Sequence, residues 1–249
     1  MKNKILFLLF NFTVLILNAQ APKYDDLKIL FADAKYDKLV KDAEKYVNKP
    51  ELSEDPIPSV YLAMGLYKIS FTSLAEENPA YSDSREAAFE ALGIAIDLDK
   101  NGSKLDEHAA FIDEVQSFVM DVINNEIEAE SYAKAATYIK TFAKVSKNAK
   151  AGAKLYEGYV KYLKAPDDAS SAESAWEKAV KMLTKDSLND ASLWTKNDLL
   201  LTKNALLGTL KSMIELESIE NIDILMEYYK PVFREDEVFL TELEKMYRK

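Results

Sequence analysis

The chain has 249 residues, 48% of them hydrophobic, with 42 acidic side chains against 32 basic ones and no cysteine. A net charge of -10 supplies no positive field to displace counterions from phosphates, which argues against general nucleic-acid binding and against adsorption to anionic lipid. Without cysteine there is no disulfide, no thiolate metal site, no thiol nucleophile and no attachment point for a lipoprotein anchor.

Residues 1–19 differ from the rest. Lys2 and Lys4 precede an apolar run from Ile5 to Leu17, broken only by Asn11 and Thr13 and followed by Asn18, Ala19 and Gln20. The run is short for a membrane span and reads as a signal peptide, cleaved after Ala19. A cut after Ala21 would leave Pro22 next to the scissile bond, which disfavours processing. With Lys2 and Lys4 removed and no acid lost, the charge of the mature chain, residues 20–249, moves from -10 to -12. No membrane span is expected after cleavage. The Leu17-Asn18-Ala19-Gln20 junction resembles signal peptides of the Bacteroidetes, and a secreted chain without disulfides suits a bacterial periplasm. The expected location is periplasmic or secreted.

Helical spacing then recurs almost to the end, punctuated by only six glycines and seven prolines. A first helical hairpin is expected over 24–47, with Leu27, Leu30 and Phe31 on one helix and Tyr36, Leu39, Val40, Ala43 and Val47 on the next. Pro50, Pro56 and Pro58 mark its end, because proline lacks a donor and restricts the residue before it. Ser59 is the expected N-cap of a helix over 59–74, carrying Leu62, Gly65, Leu66 and Ile69. Its partner starts near Ser84 and carries Ala88, Leu92, Ala95 and Ile96, and the irregular insertion between them, 76–83, is a candidate binding loop.

Further helices are expected over 106–125 and 129–146. The most regular hairpin follows at 155–183, with Leu155, Tyr159, Tyr162 and Leu163 on its first helix, a turn at Ala165-Pro166-Asp167-Asp168, and Ala172, Trp176, Ala179 and Leu183 on one face of its second. The short turn requires antiparallel packing. After a polar connection over 184–197 come helices at 198–217 and 220–230, and a last helix at 235–247 with Phe239, Leu243 and Met246 on one face, as a terminal cap requires.

Ala172-Trp176-Ala179 and Ala88-Leu92-Ala95 follow a small, large, small order at spacings of four and three. In this the chain resembles the tetratricopeptide repeat, whose small first-helix residue falls on Gly65, Gly158 and Gly208 and implies close approach of neighbouring helices there. The anchors at 39, 88, 135, 172 and 222 are spaced by 49, 47, 37 and 50 residues, beyond the family period of about 34, so the repeats would carry insertions. The resemblance implies an all-α fold, an α-solenoid of about five antiparallel helical hairpins plus a C-terminal capping helix, whose inner surface binds a protein or peptide.

Candidate chemistry is sparse. Asp97, Asp99, Asn101 and Gly102 look like the first half of a calcium loop, but the twelfth position, which should be a bidentate glutamate, is His108. Gly102 reads better as a helix C-terminal cap, and no metal site is expected. His108 is the only histidine, which removes histidine-paired nucleophiles and multi-histidine metal sites, and it reads as a surface or helix-start residue. Glu76-Glu77 and Asp167-Asp168 read as solvated turns.

Tyr61, Tyr67, Tyr132, Tyr138, Tyr156, Tyr159, Tyr162, Tyr228 and Tyr229 read mainly as packing residues, and exposed members could stack on sugars or hold a peptide. Asp186-Ser187-Leu188 resembles the short acceptor of Bacteroidetes O-glycosylation. The expected function is a non-enzymatic envelope scaffold for a protein or peptide partner, with no catalytic residues and no cofactor. The alternative is a small-ligand or glycan-binding module using tyrosines of a concave face.

Overall fold

The computed structural model describes residues 24–183, 194–217 and 220–247. The expected signal peptide and Asp186-Ser187-Leu188 lie outside the described residues. Among the described residues the fold is all-helical and contains no strand. The helices are α1 (Asp25–Ala32), α2 (Tyr36–Val47), α3 (Pro56–Ile69), the single turn α4 (Leu74–Glu77), α5 (Ser84–Leu98), α6 (Ala109–Glu128), α7 (Tyr132–Lys144), α8 (Lys150–Lys164), α9 (Ser170–Met182), α10 (Lys196–Glu215), α11 (Glu220–Tyr229) and α12 (Glu237–Tyr247).

The turns have local causes. After α1, Ala34 adopts φ 56° and the chain closes a Schellman motif, Lys35 N donating to Leu30 O at 2.9 Å and Ala34 N to Phe31 O at 3.0 Å. After α6 the same motif recurs, with Glu130 at φ 56°, Ser131 N donating to Glu126 O at 2.8 Å and Glu130 N to Ile127 O at 3.0 Å. In both cases the next helix opens on a tyrosine, Tyr36 or Tyr132.

Helix α3 begins earlier than expected. Its cap is Asp55, whose Oδ1 accepts from Ile57 N at 3.1 Å, and Ser59 is buried inside the helix. Pro56 and Pro58 lie in the first turn, where a missing N–H breaks no intrahelical bond, so the residues that read as breakers start the helix. The expected loop at 76–83 is partly helical, comprising the end of α4 and a 3-10 turn over Pro79–Tyr81. Tyr81 is buried and its hydroxyl donates to Asp37 Oδ1 at 2.6 Å, which ties this insertion to α2.

Packing joins α1 to α2, α2 to α3, α3 to α5, α6 to α7, α7 to α8 and α8 to α9. Helix α10 rests mainly on α8 and also touches α6, so it lies across the first helices of the two preceding pairs. Close approach depends on two glycines in particular. A Cβ on Gly158 would come within 2.3 Å of Trp176 Nε1, and one on Gly208 within 2.5 Å of the Tyr159 ring. Trp176 itself is fully buried between α8 and α9, and its indole N–H has no acceptor among the described residues, so volume and not hydrogen bonding holds it there.

Candidate functional site

An open groove of about 520 Å³ runs across α5, α7, α8 and the end of α9. Its floor is apolar and includes Gly93, Ile94, Ile139, Ala143, Ala153 and Met182. Ile94 is 54% exposed and Met182 45%, an unusual position for large apolar side chains unless something covers them. They are exposed because α5 presents Leu92 and Ile96 to the core, and a helix that buries one face turns the residues about half a turn away outward.

The rim is charged and mostly self-paired. Lys144 pairs with Glu90, and Lys150 Nζ lies 3.1 Å from Asp97 Oδ1. Glu157, itself buried, takes Lys154 at 2.5 Å and Lys161 at 2.8 Å. Burial alone would raise the Glu157 carboxyl, but the hydrogen bonds from Lys154 and Lys161 outweigh it and its pKa lies below the ordinary value. Lys140 is exposed on the same wall and has no carboxylate within ion-pair distance among the described residues. The lining therefore holds four lysines against three carboxylates, a local positive excess on an acidic protein.

A second cavity of about 220 Å³ lies between the end of α5, α6 and the start of α10. Its polar groups are committed to holding the chain. Thr195 and Asp198 form a capping box at the start of α10, Thr195 Oγ1 donates to Gln116 Oε1 at 2.8 Å, and Gln116 Nε2 donates to Val145 O at 2.8 Å. Ser146 Oγ donates to Asp198 Oδ1 at 2.7 Å, and burial raises the Asp198 carboxyl pKa against the opposing effect of these bonds. Asn197 Nδ2 reaches Asp113 Oδ1 at 2.7 Å and Ser117 Oγ at 3.0 Å. The cluster acts as a clasp between α6, the α7–α8 turn and α10. Its one sequence signal is the Thr195-x-x-Asp198 spacing, which sequence reading passed over as part of a polar connection.

The calcium-like stretch is used structurally. Asp99 is buried and its carboxylate accepts from the backbone of Gly102, Lys104 and Leu105 at 3.1 to 3.3 Å, while Asp97 faces Lys150. Gly102 has φ 74°, the left-handed conformation a glycine supplies, but it sits within this loop, three residues beyond the helix-ending Asp99. Among the described residues no group of three or more histidines or carboxylates is arranged for a cation. His108 does sit at a helix start, preceding α6, but it is buried against Tyr61 at 5.1 Å between ring centroids and is not a surface residue.

The tyrosines face inward. Tyr61, Tyr67, Tyr156 and Tyr229 are buried, and Tyr132, Tyr138, Tyr159, Tyr162 and Tyr228 pack against the core. Burial pushes the hydroxyls of Tyr61 and Tyr156 up to about 12. No tyrosine lines the groove, and the apolar exposure there belongs to Ile94 and Met182. Compared with models of known protein families, with curated proteins and with solved structures, the chain matches none.

Proposed function

We propose that the protein is an exported helical-repeat scaffold, a tetratricopeptide-like α-solenoid, that binds a protein or peptide segment of the cell envelope in the groove across α5, α7, α8 and α9. The observation that carries this reading is the groove's apolar floor, with Ile94 and Met182 exposed beside the unpaired Lys140. Such a surface fits an amphipathic segment that places an apolar side chain on the floor and a carboxylate near Lys140. The recurring Schellman turns after α1 and α6, each followed by a tyrosine-led helix, support a repeated architecture. The export assignment rests on residues 1–19 alone.

The test is site-specific photo-cross-linking in intact cells of the source bacterium, with the reactive side chain placed at 94 or 140 and, as a control, at Glu86 on the same helix α5. A discrete protein adduct from 94 and 140, not from 86, is the expected result. Adducts absent from both groove positions would refute the groove as the binding surface. Fractionation of the same cells tests the periplasmic location.

A further inference from the structure

Only three of the 32 basic residues are arginines, Arg85, Arg234 and Arg248, so a function that needs a planar guanidinium has few places to reside. Arg85, near the start of α5, lies against two rings. Its guanidinium carbon lies 4.8 Å from the centroid of Phe71 and 5.2 Å from that of Phe118. Phe71, just past the end of α3, is 54% exposed. Tyr67 meets Phe71 edge-on at 5.0 Å, and Phe71 meets Phe118 in the same way at 5.8 Å, so the rings brace one another around the cation.

Arg85 has no carboxylate within 4.0 Å among the described residues. Its hydrogen bonds are two long ones, Nε to Ser70 Oγ at 3.5 Å and Nη2 to Ser70 O at 3.3 Å. Glu114 of α6 is taken by Lys68 at 2.7 Å. A half-buried guanidinium thus keeps its remaining N–H groups without an acidic partner, in a chain that carries ten more acids than bases. The ring contacts hold the guanidinium in place, and its remaining N–H groups are a donor surface of the kind that binds a carboxylate.

We propose that Phe71, Arg85 and Phe118 form a second docking surface, separate from the groove, for a partner protein segment that presents an aspartate or glutamate side chain beside an aliphatic or aromatic residue. The carboxylate meets the edge of Arg85 and the apolar neighbour covers the exposed face of Phe71. One guanidinium, with Lys68 already engaged by Glu114, balances one negative charge, which favours a single carboxylate over a dianionic phosphate. The groove's exposed apolar residue lies on the other side of α5, because Ile94 projects about half a turn and Asp97 about a third of a turn away from Arg85.

The experiment is selection of random peptides displayed on phage against the immobilised mature protein, counter-selected on the Arg85→Gln variant, followed by binding measurements on the enriched peptides. Enrichment of an acidic residue next to an apolar one is expected. The resulting peptides should bind about tenfold or more weakly to Arg85→Gln and to Arg85→Lys, since lysine keeps the charge and loses the fork. Phe71→Ala changes an exposed side chain, leaves the fold intact by circular dichroism, and should also weaken binding, whereas Ile94→Glu in the groove should not. No enrichment, enrichment without an acid, or equal binding to Arg85→Lys would overturn the proposal. Loss of binding on amidating the peptide C-terminus would overturn the side-chain assignment, and loss with Ile94→Glu alone would transfer the peptides to the groove.

Discussion

Trp176 packs directly over Gly158, and any larger residue at 158 must move the indole body itself, not the flexible end of a side chain. Trp176→Ala should cost about 3 to 5 kcal/mol in urea unfolding, and a loss below about 1 kcal/mol would contradict its role as the anchor of α8 and α9. Gly158→Ala should destabilise by about 1 to 3 kcal/mol although alanine is the better helix former, because overpacking outweighs propensity here. His108 tests a different force. Burial lowers its pKa below 6.5, so the unfolded chain binds the proton more tightly than the folded one. Its contribution is present above pH 6.5 and lost as pH falls below it, and His108→Gln should flatten that decline in urea midpoints. Asp198 acts in the opposite direction: its raised pKa contributes stability below 3.8 that is lost as pH rises through its folded value. An unchanged slope in His108→Gln below pH 6.5 would show that His108 is not the group responsible.

At the level of elements, the turns after α1 and α6 place ordinary L-residues, Ala34 and Glu130, in the left-handed region. That conformation costs a side-chain-bearing residue about 1 kcal/mol, so Ala34→Gly and Glu130→Gly should each stabilise by up to about that amount in thermal or urea unfolding. Destabilisation by either would mean that the side chain makes a contact worth more than the strain. Helix existence was legible because apolar residues recur at three and four residue spacings, and α5, α10, α11 and α12 start within about two residues of their expected positions. The start of α3 lies ahead of the expected Ser59 because Pro56 and Pro58 occupy its first turn, which has no N–H bond for proline to break. The Schellman turns left no glycine to mark them.

Across the molecule, α10 couples distant parts of the chain. Asn197 reaches back to Asp113 and Ser117, Thr195 to Gln116, and Asp198 to Ser146, so the start of α10 is tied to α6 and to the turn before α8. Asn197→Ala should cost about 1 to 3 kcal/mol, the penalty of removing a buried polar partner, and should reduce hydrogen-exchange protection along α10 while sparing α1 to α5. Uniform loss over all helices would show that the clasp is not a local device. The sequence by itself determined that the described chain is helical, where most helices lie and which residues form their buried faces, because these follow from periodicity along a single helix. Close contacts at Gly65, Gly158 and Gly208, which the resemblance to the tetratricopeptide repeat implies, are present at all three. Only the tertiary structure decided that Ile94 and Met182 share one groove, that Gln116, Ser146 and Asp198 share one clasp, and that Phe71, Arg85 and Phe118 form one cluster. Each of these joins residues from different helices, and their meeting depends on how the helices cross, which no spacing along the chain encodes.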